Sequence, residues 1–352
     1  MTISFFFIFG WKSVFRFNTE KNSINCLRRC QVQKFDDLDS LIYTTKKLPL
    51  LVSKNQNGQY EMPSPVMFEF SNPLARFSCL PGNRDWVAKS AAETLYAFSG
   101  MNGNDFIWEF RGWEDPSIKK QFGRTEIGPS LRFLNRKGPE FLGYSETNNL
   151  RQSGTGFIDQ LSDIINIFNK NKEDKKVILQ LYTKENPCSI YQAWIYCREN
   201  KLNIMLWAGY LDHFELVFKY IPIFSFLLQI LSDLTNIEMG GVQVTIGCLL
   251  IEKEAVKPPP IIKIGDFRYP SGNLTLRDLD VLMSIMVEFV VRLDEKSLNR
   301  ANPFERDDRV LIWQDYAEIF RAWKAEKLGY KIDMEQVFHH PQLRFIYKGE
   351  TI

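Results

Sequence analysis

Histidine is scarce in this sequence, with three in 352 residues, and the six cysteines at positions 26, 30, 79, 188, 197 and 248 show no disulfide or zinc-like spacing. Cys26 and Cys30 in INCLRRC come nearest to a ligand pair, but no second pair of suitable spacing follows them. A metal centre and a disulfide framework are both set aside, and a reduced, cytoplasmic chain is expected. An excess of charge is also missing. Lys and Arg total 44 against 42 Asp and Glu, leaving +2, so no global field calls for a polyanion and phosphate binding must be local. Long apolar runs are absent too. The stretch VFKYIPIFSFLLQIL from Val217 to Leu231 is shorter than the ~20 residues a bilayer span needs and carries Lys219 and Pro222, which predicts a buried core helix and no membrane partner. The opening MTISFFFIFGW lacks the basic region and small-residue cleavage site of a secretory signal and reads as a docked strand or a frayed tail. No internal repeat or low-complexity tract is found.

What is present is ordinary globular composition, 45% hydrophobic and 24% charged, and too rich in aromatics for disorder. The length exceeds what one compact core holds, so one main domain with appended segments is expected. The divisions fall at residues 1–59 for an N-terminal arm, 60–257 for the main domain and 258–352 for a mainly helical extension, with Pro258 to Pro260 ending the main unit.

Local patterns predict an α+β arrangement. MPSPVMFEF alternates as a half-buried strand does, and Asp85 can cap a helix over WVAKSAAETLYAFSG that Gly100 stops. From Phe157, Ile158, Leu161, Ile164, Ile165 and Phe168 recur at helical spacing. KVILQLY, IYQAWIYC and LNIMLWA, separated by ENP and REN turns, predict neighbouring strands of one sheet, and VQVTIGCLLI another strand after the core helix. Beyond it, helices are expected from Thr275 and over RVLIWQDYAEIFRAWKAEK, whose Ile312, Tyr316, Ile319, Phe320 and Trp323 form a packing stripe.

Four segments in this order resemble the thymidylate synthases and the pyrimidine hydroxymethylases over roughly residues 60 to 255. They are NPLAR, AAETLYAFSGMNGND, FIDQLSDIINIFNKNKEDKK and NPCSIYQAWIYCRENKLNIMLWAGYLD. The resemblance implies a layered sheet-and-helix fold, a homodimer built on the strands around Lys175 to Trp207, and a dUMP- or dCMP-type nucleotide as substrate. Pyrimidine C5 is inert until a thiolate adds to C6. By resemblance Cys188 is that thiol, Glu93 the proton relay, and methylenetetrahydrofolate the one-carbon donor. Lys175 and Lys176 stand where paired arginines reach the nucleotide phosphate, and Asp212 matches an acidic position of the next strand.

The chain departs from the family pattern at several positions. The family's phosphate-binding Arg-Ser reads Gly209-Tyr210, and lysines replace the guanidinium forks. The residue reading the pyrimidine edge falls near Lys219 and Tyr220, and the His-x-Tyr sugar contact falls in CLLIE. Counting back from Lys201, the nucleophile position lands on Ser189, one place after Cys188. Three readings stay open: a C5 transferase; a catalytically inactive scaffold whose extension engages a protein or nucleic acid; and an enzyme whose pocket is rebuilt around Tyr210, Lys219 and Tyr220.

Overall fold

The computed structural model describes residues 32–46, 53–54, 60–62, 65–78, 87–88, 90–91, 94, 133–135, 157–172, 177–181, 189–251, 281, 311–330 and 343. These form one mixed sheet with helices layered on it, an α+β architecture consistent with the thymidylate synthase-like fold. Its central strands are β8 (Ile190–Arg198), β9 (Lys201–Asp212) and β10 (Glu238–Ile251). Outside them lie β7 (Val177–Gln180) on one side, and β4 (Val66–Phe70) then β1 (Gln33–Phe35) on the other. β3 (Tyr60–Met62) adds to the far end of β10 and pairs with β2 (Ser53–Lys54). Strand β1, from the segment assigned to the N-terminal arm, runs parallel to β4 at the sheet edge and leads into α1 (Leu38–Lys46).

Alternation builds the inner face. Ala193, Ile195 and Cys197 of β8, Leu202, Ile204, Leu206 and Ala208 of β9, and Val242, Val244 and Ile246 of β10 are all buried, because a period of two sends every second side chain to one side. The β8–β9 turn uses Glu199 and Asn200, both at positive φ, which is the geometry a two-residue hairpin with right-handed twist requires. β9 and β10 run parallel and are therefore joined by a crossover, a continuous helix from Leu216 to Thr235. Its first turn, Leu216–Tyr220, is π-helical, and α3 (Ile221–Thr235) continues it. The π-helical turn extends the apolar helix to 20 residues, long enough by composition to cross a membrane, yet 89% of that window is buried within the fold. The expectation of a core helix holds. Ile223, Phe224, Phe226, Leu227, Leu228 and Leu231 contribute roughly 1.5–3 kcal/mol each by leaving water.

The helix expected from Phe157 begins later. Phe157–Asp159 is strand β6, paired antiparallel with β5 (Phe133–Asn135), and α2 spans Gln160–Lys170 with Leu161, Ile164, Ile165 and Phe168 buried. Cross-strand pairing overrides helical periodicity for those first residues. Helix α4 (Leu311–Lys327) is enclosed: Tyr316, Ile319, Phe320 and Trp323 of the expected stripe are buried, and so are Gln314, Asp315 and Glu318. Tyr316 lies 5.2 Å from Phe226 of α3 and 5.8 Å from Phe77, so this part of the C-terminal segment shares the main core. The helix expected from Thr275 and the opening MTISFFFIFGW lie outside the described residues, apart from helical Val281.

Candidate active site

The crossover segment meets the head of β8 through Glu215, and the helix around Ser90 packs on its first turn. Val87, Ala88, Ser90, Ala91 and Thr94 are helical and buried, inside the helix expected to begin after Asp85. Ser90 anchors it by donating its hydroxyl to the Phe218 carbonyl, 2.5 Å away in the π-helical turn. At the opposite end of that turn, Thr45 of α1 meets His213 Nε2 at 2.5 Å. Since the Thr45 hydroxyl proton already points to the Leu41 carbonyl at 2.6 Å, the imidazole is the donor to Thr45.

Ser189 stands immediately before β8 and is half-buried. Its hydroxyl donates to Glu215 Oε2 over 3.4 Å, and Lys219 Nζ donates to Glu215 Oε1, also over 3.4 Å. The Lys219 side chain is 6% exposed and that of Glu215 19%, and the ammonium sits 5.1 Å over the Tyr220 ring. Around them Ile190, Leu211, Leu216 and Val217 are fully buried. A carboxylate bridging a hydroxyl and an ammonium in such surroundings is costly to desolvate unless it is paired. Two families of sequence signal bear on it: Ser189 by the count from Lys201, and Glu215 with Lys219 by their i,i+4 spacing, which sequence reading passed over.

The sequence-derived candidates divide. Cys188, Glu93, Lys175 and Lys176 lie outside the described residues. Tyr220 is fully buried in the core, whereas Tyr210 is 51% exposed, so the structure does not bring these two together. Desolvation first, then the charges of Cys248, Glu61 and Asp212, push the Tyr210 phenol up. Asp212 is half-buried at the end of β9, in register with Leu250. Gly209 explains one departure in physical terms: a Cβ there would stand 2.8 Å from Tyr191 Cε2. Tyr191 is the extra residue of a bulge, since Ile190 pairs with Ala208 and Gln192 with Trp207, and its ring covers position 209. Among the described residues no group of His, Cys, Asp and Glu could hold a metal ion.

No family model matches the sequence. Over 189 residues the chain is 24% identical to the deoxyuridylate hydroxymethyltransferase of Bacillus phage SP01, a match covering 50% of this chain and 46% of the phage protein. The relationship is distant. The matched region thus spans under half the length of that relative.

Proposed function

We propose that this chain transfers a one-carbon unit to C5 of a pyrimidine nucleotide. The observation that carries the reading is the similarity to deoxyuridylate hydroxymethyltransferase, and Ser189, the residue after Cys188, lies in a polar cluster with Glu215 and Lys219 that supports it. Cys188 adds as thiolate to C6, which makes C5 nucleophilic; C5 bonds the new carbon and loses its proton, the new carbon parts from the nitrogen of its carrier and takes up water to become hydroxymethyl or hydride to become methyl, and expulsion of the thiolate restores the ring. Glu93 handles the proton, and Lys175 and Lys176 hold the phosphate. Methylenetetrahydrofolate supplies the carbon when bound; the neighbouring ammonium and carboxylate of Lys219 and Glu215 match the alternating acceptor and donor atoms of a pterin edge. Thermal shift tests nucleotide binding. A nucleotide at a hundred times its dissociation constant stabilises the fold by roughly 2.7 kcal/mol, and no response to dUMP, dCMP, dTMP or CMP contradicts the reading.

A second reading, a catalytically inactive scaffold with a protein or nucleic-acid partner, is favoured by position 209. The family's guanidinium is absent there, and the Tyr191 side chain lies against the position a Cβ of residue 209 would take. Both readings share a homodimer. The outer face of the sheet presents Met67, Tyr191, Trp194 and Trp207, each 37–47% exposed, with the two tryptophan rings 6.1 Å apart. An apolar patch of this kind marks an interface. Light scattering at micromolar concentration is expected to give a dimer, and Trp194→Lys combined with Trp207→Lys a folded monomer. A monomeric wild type refutes the assignment.

A further inference from the structure

Arg76 places a fully buried guanidinium where three elements meet, the loop after β4, α3 and α4. Its Nη1 donates to Gln229 Oε1 of α3 at 2.8 Å, while the side-on edge of the fork, Nε and Nη2, has no hydrogen-bond partner among the described residues. Tyr316 of α4 lies beside it. The phenol ring stands 5.2 Å from Phe226 and 5.8 Å from Phe77, and the Arg76 guanidinium carbon lies 5.4 Å and 5.9 Å from the same two rings. Burial pushes the Tyr316 phenol up, and the neighbouring Arg76 and Thr94 oppose the rise, yet its hydroxyl reaches hydrogen-bond geometry with neither. Ser225, one helical turn before Gln229 on α3, holds a further buried hydroxyl without a partner. Among the described residues no carboxylate pairs with Arg76, and the buried Glu318 of α4 takes Arg321 at 2.6 Å.

Buried polar groups in folded proteins are satisfied, and those without a protein partner point to water or an ion. The chemistry of these donors favours the ion. Guanidinium nitrogens only donate, and an enclosed charge with no counter-charge is strongly destabilising. Nε and Nη2 present parallel N–H groups, the geometry that receives two oxygens of one planar anion, whereas a water molecule would leave the charge uncompensated. The full burial of Arg76, Tyr316 and Ser225 limits the ligand to a few atoms. We infer that Arg76 and Tyr316 form an enclosed binding site for a small planar oxyanion of bicarbonate or formate size, the Arg76 fork holding two oxygens and the Tyr316 hydroxyl donating to one of them. The bound anion supplies the counter-charge and ties α4 to α3 and to the loop after β4. Because α4 lies beyond residues 60–255, the site falls outside the family resemblance, and it does not depend on the proposed C5 chemistry.

Thermal unfolding of the full chain in a gluconate buffer, whose anion is too large to be enclosed, tests the site by titration with sodium formate, sodium bicarbonate and, at matched ionic strength, sodium chloride. The melting temperature is expected to rise saturably, by roughly 2 °C or more, with formate, bicarbonate or both, and not with chloride. Tyr316→Phe removes a hydroxyl that has no partner and keeps the ring packing, so it is expected to fold and to need about tenfold more anion for the same rise. Arg76→Met, which lacks the fork, is expected to melt at a temperature that no anion shifts. Should Arg76→Met not fold, the change in Tyr316→Phe decides. A response to one oxyanion alone supports the site and identifies its ligand. A rise that chloride reproduces is a general salt effect, and a rise that survives unchanged in a folded variant arises elsewhere; either result overturns the inference, as does the absence of any saturable rise.

Discussion

Cys188→Ala is expected to lower tritium release from C5 of a bound pyrimidine nucleotide by at least about a thousandfold, since no other step activates that carbon. The described thiols, Cys197 and Cys248, cannot substitute. Cys197 is buried 6% exposed in mid-sheet, eight positions beyond Ser189 and so about 26 Å along an extended strand, and Cys197→Ala should leave exchange unchanged. Cys248 lies on the far strand with its thiol pushed up to about 12 by desolvation first and by Glu61, whose carboxylate accepts its hydrogen bond at 3.0 Å. That shift disfavours the thiolate the reaction needs. Ser189→Ala separates the two candidate positions: exchange survives it if Cys188 is the nucleophile and disappears if Ser189 occupies that role. Exchange that persists in Cys188→Ala contradicts the assignment.

The second large effect concerns Arg76, which is fully buried between the loop after β4, α3 and α4. Nη1 donates to Gln229 Oε1 at 2.8 Å, and the guanidinium carbon lies 5.4 Å from the Phe226 ring and 5.9 Å from that of Phe77. Among the described residues Nε and Nη2 have no hydrogen-bond partner. Nearby Tyr316 has its phenol pushed up by burial, with the Arg76 charge opposing. Among the described residues the guanidinium is held by one amide oxygen and by aromatic faces, so it packs well and has few charge-compensating partners there. Arg76→Ala leaves a cavity and an unsatisfied Gln229, and should cost about 3 kcal/mol in urea unfolding. Arg76→Met keeps the stem volume and removes the desolvated charge, so it should lie within roughly 1 kcal/mol of wild type. Equal losses from both substitutions would show that the charge itself, not the packing, sustains the site.

The fold was largely legible because its strands and core helix carry strong local patterns. Isoleucine, leucine and valine recur every second residue through much of β9 and β10, where Leu202, Ile204 and Leu206 and Val242, Val244 and Ile246 are buried, and the apolar run from Leu216 is mostly buried. Periodicity failed at Phe157 and Ile158, where pairing with β5 decides the conformation. The enclosure of α4 was also hidden, since Gln314, Asp315 and Glu318 read as a solvated face until the tertiary structure surrounds them. At the candidate site, motif order drew attention to Cys188, Glu93, Tyr210 and Tyr220. Motif order does not say which face of the sheet a side chain takes. The bulge at Tyr191 and the exposed position of Tyr210 come from register, which depends on partner strands. Glu215 was passed over because an i,i+4 pair with lysine is the commonest pattern of a solvated helix, and only burial distinguishes this one.

The proposed chemistry is tested most directly by incubating the wild-type chain with dUMP or dCMP and methylenetetrahydrofolate and weighing the recovered nucleotide by mass spectrometry. The account predicts a product in which a methyl or hydroxymethyl group replaces the C5 hydrogen, heavier by CH2 or CH2O, with loss of a C5 tritium label at the same rate. A nucleotide recovered unchanged, its C5 label intact in every combination, contradicts the transferase reading and leaves the dimeric scaffold.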